Sequence, residues 1–153
     1  MKALENRIPP PVVAIGMACL MWGLAQITYI WPLDYKIRLF LVAVALAVAV
    51  VFCVGGVLSF RKAKTTVNPL KPESASALVS SGIYRISRNP MYVGFAAILV
   101  AWLFYLAAPF AIAGVALFVF YMNQFQIKPE ERALERLFGL EFDVYRNKVR
   151  RWL

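Results

Sequence analysis

Two long apolar runs constrain the fold of this chain most strongly. The first covers residues 12–31 and follows three consecutive prolines, and the second covers residues 37–60 with Arg38 as its one charged residue. A helix needs about 20 predominantly apolar residues to cross the hydrocarbon core of a bilayer. Both runs therefore predict transmembrane helices. The composition, 61% apolar residues and 16% charged residues, agrees with a membrane protein.

A third region without charged residues covers residues 91–125, and Ala107, Ala108 and Pro109 interrupt it near its middle. Because proline disfavours helix continuation, this region predicts two spans, 91–107 and 109–125, joined by a very tight turn. Each span is close to the minimum length for crossing, so the pair is either short and tilted or ends within the headgroup region. We expect one all-α integral membrane domain over residues 1–153, with four transmembrane helices.

The basic residues predict the orientation. The chain carries 17 Lys and Arg against 8 Asp and Glu, a formal net charge of +9. Four spans leave Lys36 and Arg38 on one side and place the other basic residues on the opposite side. Since short cytoplasmic loops collect Lys and Arg, we expect both termini, the loop 61–90 and the tail 126–153 in the cytoplasm, most simply at a prokaryotic inner membrane. Attraction to anionic lipids accounts for the charge without nucleic acid.

The residue inventory excludes several kinds of site. The chain has no histidine, so zinc sites that need histidine, Ser-His-Asp triads and histidine general bases are ruled out. Cys19 and Cys53 lie inside predicted spans, where a free thiol behaves as a small apolar side chain. We expect no metal site and no cleaved signal peptide.

Polar chemistry concentrates in residues 80–94 (SSGIYRISRNPMYVG), at the mouth of the third span. Asn is a favoured N-cap and Pro a favoured first helical residue, so Asn89 and Pro90 predict the helix start. Tyr84, Arg88 and Tyr92 recur at four-residue spacing, and Gly94 permits close approach of a backbone or a ligand. Either this is an ordinary interfacial helix start or it forms part of a site. Upstream, a short helix is expected from Pro72 toward Val79.

The tail predicts a helix that opens at Pro129 and stops at Gly139. Glu130 shares a face with apolar residues, namely Ala133, Leu134 and Leu137, whereas Glu131 shares a face with Glu135. A carboxylate on an apolar face needs a cation or several donors. Glu130 is therefore either paired with a loop Arg or Lys, or reserved for a ligand. These opposite faces predict that Glu130→Ala abolishes ligand binding and Glu131→Ala does not.

A second apolar stripe follows Gly139. It comprises Phe142, Tyr145, Val149 and Trp152, with basic residues around it. A helix lying on the membrane surface is the preferred interpretation. A lid over a cytoplasmic pocket is the alternative.

Taken together, these segments resemble the integral-membrane methyltransferases that include isoprenylcysteine carboxyl methyltransferase and, more distantly, the phospholipid N-methyltransferases. The shared motifs are Gly-x-Tyr at 82–84, Arg-x-Pro-x-Tyr-x-Gly at 88–94, Glu-Glu-x-x-Leu at 130–134, Phe-Gly-x-Glu at 138–141, and Tyr145. Their order and spacing match, and the apolar hairpin between the two halves matches as well. The resemblance covers residues 65–153.

The resemblance implies S-adenosylmethionine as cofactor and a lipophilic acceptor that enters from the bilayer, together with membrane lipids as partners. Among the residues that match the family pattern, those implied to contact the cofactor are Ser76, Ala77, Leu78, Val79, Tyr84, Asn89, Pro90, Met91, Tyr92 and Glu130. Arg88 and Gln126 are the implied substrate-side residues.

Two positions depart from the family pattern. Asn89 stands where the family has His, and Gln126 stands where it has Arg. A carboxylate or thiol acceptor, as in isoprenylcysteine methylation, needs no strong base and is our first expectation. A phospholipid amine is the second, and a non-enzymatic scaffold that binds anionic lipid or a partner is the competing class.

Overall fold

Helices make up the whole regular structure of the described chain. The computed structural model describes residues 5–63 and 77–153, and these ranges contain no β-strand. The α-helices are α1 (Pro10–Ile27), α2 (Tyr35–Lys62), α3 (Pro90–Leu106), α4 (Ile112–Tyr121), α5 (Lys128–Phe138) and α6 (Leu140–Lys148). Three helical segments, Pro10–Ile27, Tyr35–Lys62 and Pro109–Phe138, are long and apolar enough to cross a membrane, and α3 is a shorter apolar helix. The prediction of an all-α membrane protein is confirmed.

The first two helices begin earlier in the sequence than predicted. Helix α1 starts at Pro10 and ends at Ile27, so residues 28–31 lie outside it. Helix α2 starts at Tyr35 because Asp34 caps it: the carboxylate accepts hydrogen bonds from the backbone N–H groups of Lys36 (2.9 Å) and Ile37 (3.2 Å). A capping carboxylate satisfies N–H groups that have no partner within the helix.

Helix α2 turns its large side chains outward and its small ones inward. Phe40, Val50 and Val51 are more than half exposed, whereas the buried residues of this helix are Ala45, Ala49, Gly56 and Ser59. Helices in membranes associate through small residues because lipid provides no hydrophobic drive for association. The outward face of α2 is therefore the lipid-facing surface.

At Gly94, α3 packs closely on α2. A Cβ atom at this position would lie 3.1 Å from the Ala49 carbonyl oxygen and 3.2 Å from the Cys53 backbone nitrogen. The close approach expected at Gly94 is thus to another backbone. It fixes the register in which the first turn of α3 meets α2.

The turn between α3 and α4 lies at residues 107–109. Ala107 adopts a left-handed conformation (φ 50°), and a short 3-10 helix, Pro109–Ala111, follows. The Trp31 N–H donates to the Ala107 carbonyl over 2.6 Å, which ties this turn to the connection between α1 and α2. With 17 residues, α3 is about 25 Å long, somewhat less than the hydrocarbon thickness.

The helix opening expected at Pro129 is not a new start. The chain remains helical from Ile112 to Phe138, with a π-helical segment at Met122–Ile127 between α4 and α5. Proline has no N–H to donate back to the carbonyl four residues earlier, here Phe125. The Asn6 N–H donates to that carbonyl instead, over 3.0 Å. A wider π turn and a bond from the N-terminal segment together accommodate the proline.

Beyond α5, the tail folds back onto the loop that precedes α3. Gly139 ends α5 with a positive φ of 48°. The aromatic side chains of Phe142 and Tyr145 are buried and cluster with Val79 and Tyr84. The apolar face of α6 is covered by protein, so the interpretation that this stripe faces the membrane is wrong.

The short helix expected from Pro72 toward Val79 falls mainly on residues 64–76, outside the described ranges. Its last residues, Ala77 to Val79, are not helical. A 3-10 helix, Gly82–Arg85, begins at Gly82, whose φ of 62° suits glycine.

Candidate active site

The centre of the candidate site is a contact between α3 and α5. Tyr92 lies in the first turn of α3, and its hydroxyl donates a short hydrogen bond to a carboxylate oxygen of Glu130. Tyr92 is buried and Glu130 partly buried. Among the residues that the structure describes, no basic side chain forms an ion pair with Glu130. Withdrawal from water disfavours an uncompensated carboxylate, and a positively charged ligand beside it would offset that cost.

The face predicted for Glu130 is largely the observed one. Ala133 is buried and Leu134 packs against the cluster of Val79, Tyr84, Phe142 and Tyr145, whereas Leu137 is 45% exposed. Of the two alternatives that the sequence left open, pairing with a loop cation is not observed within residues 5–63 and 77–153.

Tyr84 is held rigidly beside this pair. Its ring packs edge-on against Phe60, with centroids 5.4 Å apart, and its carbonyl accepts a 2.8 Å hydrogen bond from the Tyr145 hydroxyl. Burial, followed by the nearby Tyr145 and Glu130, raises the pKa of Tyr84. Burial also raises the pKa of Tyr145, against the influence of Arg88. Both phenols therefore stay protonated at neutral pH, and neither serves as a base.

Asn89 occupies the N-cap position of α3, and Pro90 follows as its first residue. The backbone carbonyl of Asn89 accepts hydrogen bonds from the N–H groups of Tyr92 and Val93, each 3.0 Å long. Its side chain does not cap the helix. Instead, Nδ2 donates to the Arg151 carbonyl over 2.9 Å. Asn89 thus connects the start of α3 to the C-terminal residues.

Arg88 is occupied by contacts within the protein. One terminal nitrogen donates to the carbonyl oxygens of Arg146 and Val149, both at 2.8 Å, and the other lies 2.6 Å from Glu131. The Arg88 side chain is only 10% exposed. A substrate-side role for Arg88 would require it to act while it keeps these partners, or to release them.

Gln126 is buried in the π-helical segment. Its Nε2 donates to the Ile8 carbonyl over 3.1 Å, and its Oε1 has no hydrogen-bond partner in the described part of the chain. The direction of the amide is fixed, because a carbonyl such as that of Ile8 can only accept. Gln126 lies four residues before Glu130 and presents a neutral acceptor.

Three further candidate residues, Leu78, Val79 and Met91, pack near Tyr84 or against α2. Val79 is buried beside Tyr84, and Leu78 is packed against that cluster. Met91 contacts α2 at Gly56, where an added Cβ atom would come within 2.7 Å of its Cγ. Ser76 lies outside the described residues. The structure therefore brings Tyr84, Tyr92 and Glu130 together at the start of α3, where Asn89 is the N-cap residue.

Sequence reasoning missed the part played by Glu131. Its carboxylate accepts from Arg88 and also from Arg151, whose Nε and terminal nitrogen lie 3.0 and 2.5 Å away. The hydrogen bond to Glu131 raises the pKa of Arg151 above its usual value. Helix phase assigned Glu131 to the face of Glu135, but phase alone does not show that a returning chain end covers that face.

Within the described ranges, no group of Cys, Asp and Glu side chains is arranged to hold a metal ion. The chemistry that the described part of the site offers is hence that of a carboxylate, phenols and an amide.

Comparison with known proteins finds a matching family and one similar protein. The family model described as phospholipid methyltransferase matches residues 37–141. An "uncharacterized protein" of Haemophilus influenzae is 48% identical over 63 residues, which make up 41% of this chain and the whole of that protein. No solved structure matches the chain.

Proposed function

Because the chain belongs to the phospholipid methyltransferase family and is an integral membrane methyltransferase, we propose that it transfers a methyl group from S-adenosylmethionine to a lipophilic acceptor. The acceptor would enter from the bilayer, between lipid-facing helices. The observation that carries this proposal is the Tyr92–Glu130 pair, an inward carboxylate with a hydrogen-bond donor and no described cationic partner.

The donor set fits a cationic cofactor. S-adenosylmethionine, when bound, supplies an electrophilic methyl group on a positively charged sulfur. The attraction between a carboxylate and a positive charge is stronger in a partly buried site than in water, because the local dielectric constant is lower. We assign Glu130 to the positively charged part of the cofactor and Tyr92 to holding that carboxylate in place.

Other residues of the same region are assigned to binding the cofactor. They are Ser76, Ala77, Leu78, Val79, Tyr84, Asn89, Pro90 and Met91. The rigid placement of Tyr84 by Phe60 and Tyr145 supports this assignment, because a preformed wall lowers the cost of ordering the site when a ligand binds.

Rate would come from alignment and from exclusion of water, without a covalent enzyme intermediate. Tyr84 and Tyr145 stay protonated and the chain has no histidine, so neither a phenolate nor an imidazole serves as a base among the described residues of the site. An acceptor that is nucleophilic without losing a proton to the enzyme, a carboxylate or a thiolate, suits this site first.

A phospholipid amine is the second candidate acceptor. The neutral Gln126 favours an amine acceptor over a carboxylate acceptor in one respect. A fixed positive charge at this position would attract a carboxylate, and an amide does not. A screen of prenylated thiols, prenylcysteine carboxylates and aminophospholipids with methyl-labelled S-adenosylmethionine separates the candidates. The labelled methyl group ends on sulfur, oxygen or nitrogen, respectively.

The orientation follows from charge. We propose that residues 77–89 and the tail 126–153 face the cytoplasm, because basic residues crowd this side. Single-cysteine variants at Tyr29 and Arg85 in a Cys19→Ser, Cys53→Ser background would test it. A membrane-impermeant thiol reagent added outside spheroplasts should label the cysteine at 29 and spare the one at 85.

The experiment that tests the proposal is calorimetric titration of detergent-purified protein with S-adenosylmethionine. Wild type should bind and Glu130→Ala should not. Glu135→Ala is the matched control, because Glu135 lies on the same helix, is exposed and, among the described residues, forms an ion pair with the exposed Arg146 alone. Well-folded wild type that fails to bind, with and without added membrane lipid, would refute the proposal.

A further inference from the structure

Residues 149–153 are held by hydrogen bonds to residues that lie far away in the sequence. We call these residues the C-terminal segment. The Arg88 N–H donates to the Arg150 carbonyl over 3.0 Å, and the Asn89 side chain donates to the Arg151 carbonyl over 2.9 Å. Trp152 donates through its indole N–H to Asn123 Oδ1 over 3.0 Å. The segment therefore bridges the start of α3 and the π-helical segment.

One carboxylate joins this arrangement to α5. Glu131 accepts from Arg88 through Oε1 and from Arg151 through both oxygens, at distances of 2.5 to 3.0 Å. Its side chain is 15% exposed. Fork-shaped guanidinium contacts of this kind are stronger and more directional than those of a point charge.

The partners of Arg88 explain why Glu131 matters beyond its own contacts. Two of the Arg88 acceptors, the carbonyls of Arg146 and Val149, lie at the end of α6 and the start of the C-terminal segment. Without the carboxylate, two guanidinium groups would face each other with no counter-charge between them. Loss of Glu131 would thus loosen the segment from Arg88 and from Arg151 together.

We infer that Glu131 is a positioning residue: it fastens the C-terminal segment against residues 87–89, one turn before Tyr92. The segment would thereby form a wall of the proposed site beside the Tyr92–Glu130 pair. Glu130 and Glu131 are adjacent on α5 and divide two tasks, since one faces the proposed cofactor and the other holds the wall. The inference deepens the proposed function and rests on it only for the effect on cofactor binding.

Trypsin tests the fastening directly. It cleaves after Lys148, Arg150 and Arg151, and these peptide bonds are protected as long as the C-terminal segment stays in place. The full-length protein in detergent micelles is digested, and release of C-terminal peptides is followed by mass spectrometry. Glu131→Gln should release them about tenfold faster or more, since bonds to a charged group are lost and cleavage follows the open population. Arg151→Lys keeps the charge and the cleavage site but loses the fork, so its rate should be intermediate.

Glu135→Gln is the matched control and should be cut at the wild-type rate. Its partner Arg146 is exposed and 3.6 Å away. A wild-type rate in Glu131→Gln, in protein with wild-type helix content by circular dichroism, would overturn the fastening role. This result does not depend on whether the protein binds S-adenosylmethionine.

Calorimetry with two ligands tests the link to the site. Glu131→Gln should weaken the binding of S-adenosylmethionine and of the uncharged product S-adenosylhomocysteine by similar factors, because it loosens a wall that both ligands contact. Glu130→Gln should weaken mainly the binding of the charged ligand, S-adenosylmethionine. Faster peptide release with unchanged affinity for both ligands would overturn the positioning role.

Discussion

The hydroxyl of Tyr92 donates a hydrogen bond to the carboxylate of Glu130, 38 residues later in the chain. This contact joins the first turn of α3 to α5, across the hairpin of α3 and α4. The same contact shows that the two motif regions of the sequence meet in space.

Glu130→Gln should lower the affinity for S-adenosylmethionine by about a hundredfold, since the lost contact is one between a partly buried carboxylate and a cation. The amide keeps the size of the side chain, so the fold should persist. Calorimetry with the uncharged S-adenosylhomocysteine provides the comparison. Equal losses for both ligands would show that Glu130 does not recognise the positive charge.

Tyr92→Phe removes only the hydroxyl that orients Glu130. We expect unchanged helix content and an affinity for S-adenosylmethionine about tenfold weaker, in the range of one hydrogen bond to a charged acceptor. Tyr105→Phe is the control, because Tyr105 is exposed near the far end of α3. An affinity equal to that of wild type would show that Tyr92 has no part in holding the carboxylate.

Asn89→His should be tolerated. A ring N–H can replace Nδ2 as donor to the Arg151 carbonyl, and the cap position relies on the Asn89 backbone rather than on its side chain. Asn89→Leu, which has no donor, should expose the C-terminal segment to trypsin. Misfolding or loss of cofactor binding in Asn89→His would argue against equivalence with the histidine of the related sequences.

Gly94→Ala should destabilise the protein by about 1–3 kcal/mol, the usual cost of overpacking, because the new methyl group meets the backbone of α2. Gly23→Ala is the control: nothing lies within 4 Å of its added Cβ atom, and alanine favours a helix. Thermal unfolding in one detergent compares them. A midpoint for Gly94→Ala that equals that of Gly23→Ala would contradict the tight contact.

The sequence could predict Glu130 as an inward residue but not Glu131 as a fastening residue. The first follows from helix phase within a single segment. The second depends on where residues 149–153 return, and nothing within α5 encodes that path. For the same reason, the stripe of Phe142 and Tyr145 was correctly identified as apolar but assigned to the wrong surroundings.

Long uncharged runs by themselves determined that this protein is helical and lies in a membrane, because each backbone group in hydrocarbon must be paired within its own segment. Local chemistry also fixed the positions of Asn89, Pro90 and Gly139 at helix ends. Only the tertiary structure decided which charges meet. Arg88 pairs with Glu131 and not with Glu130, since ion pairs depend on distances between segments far apart in sequence.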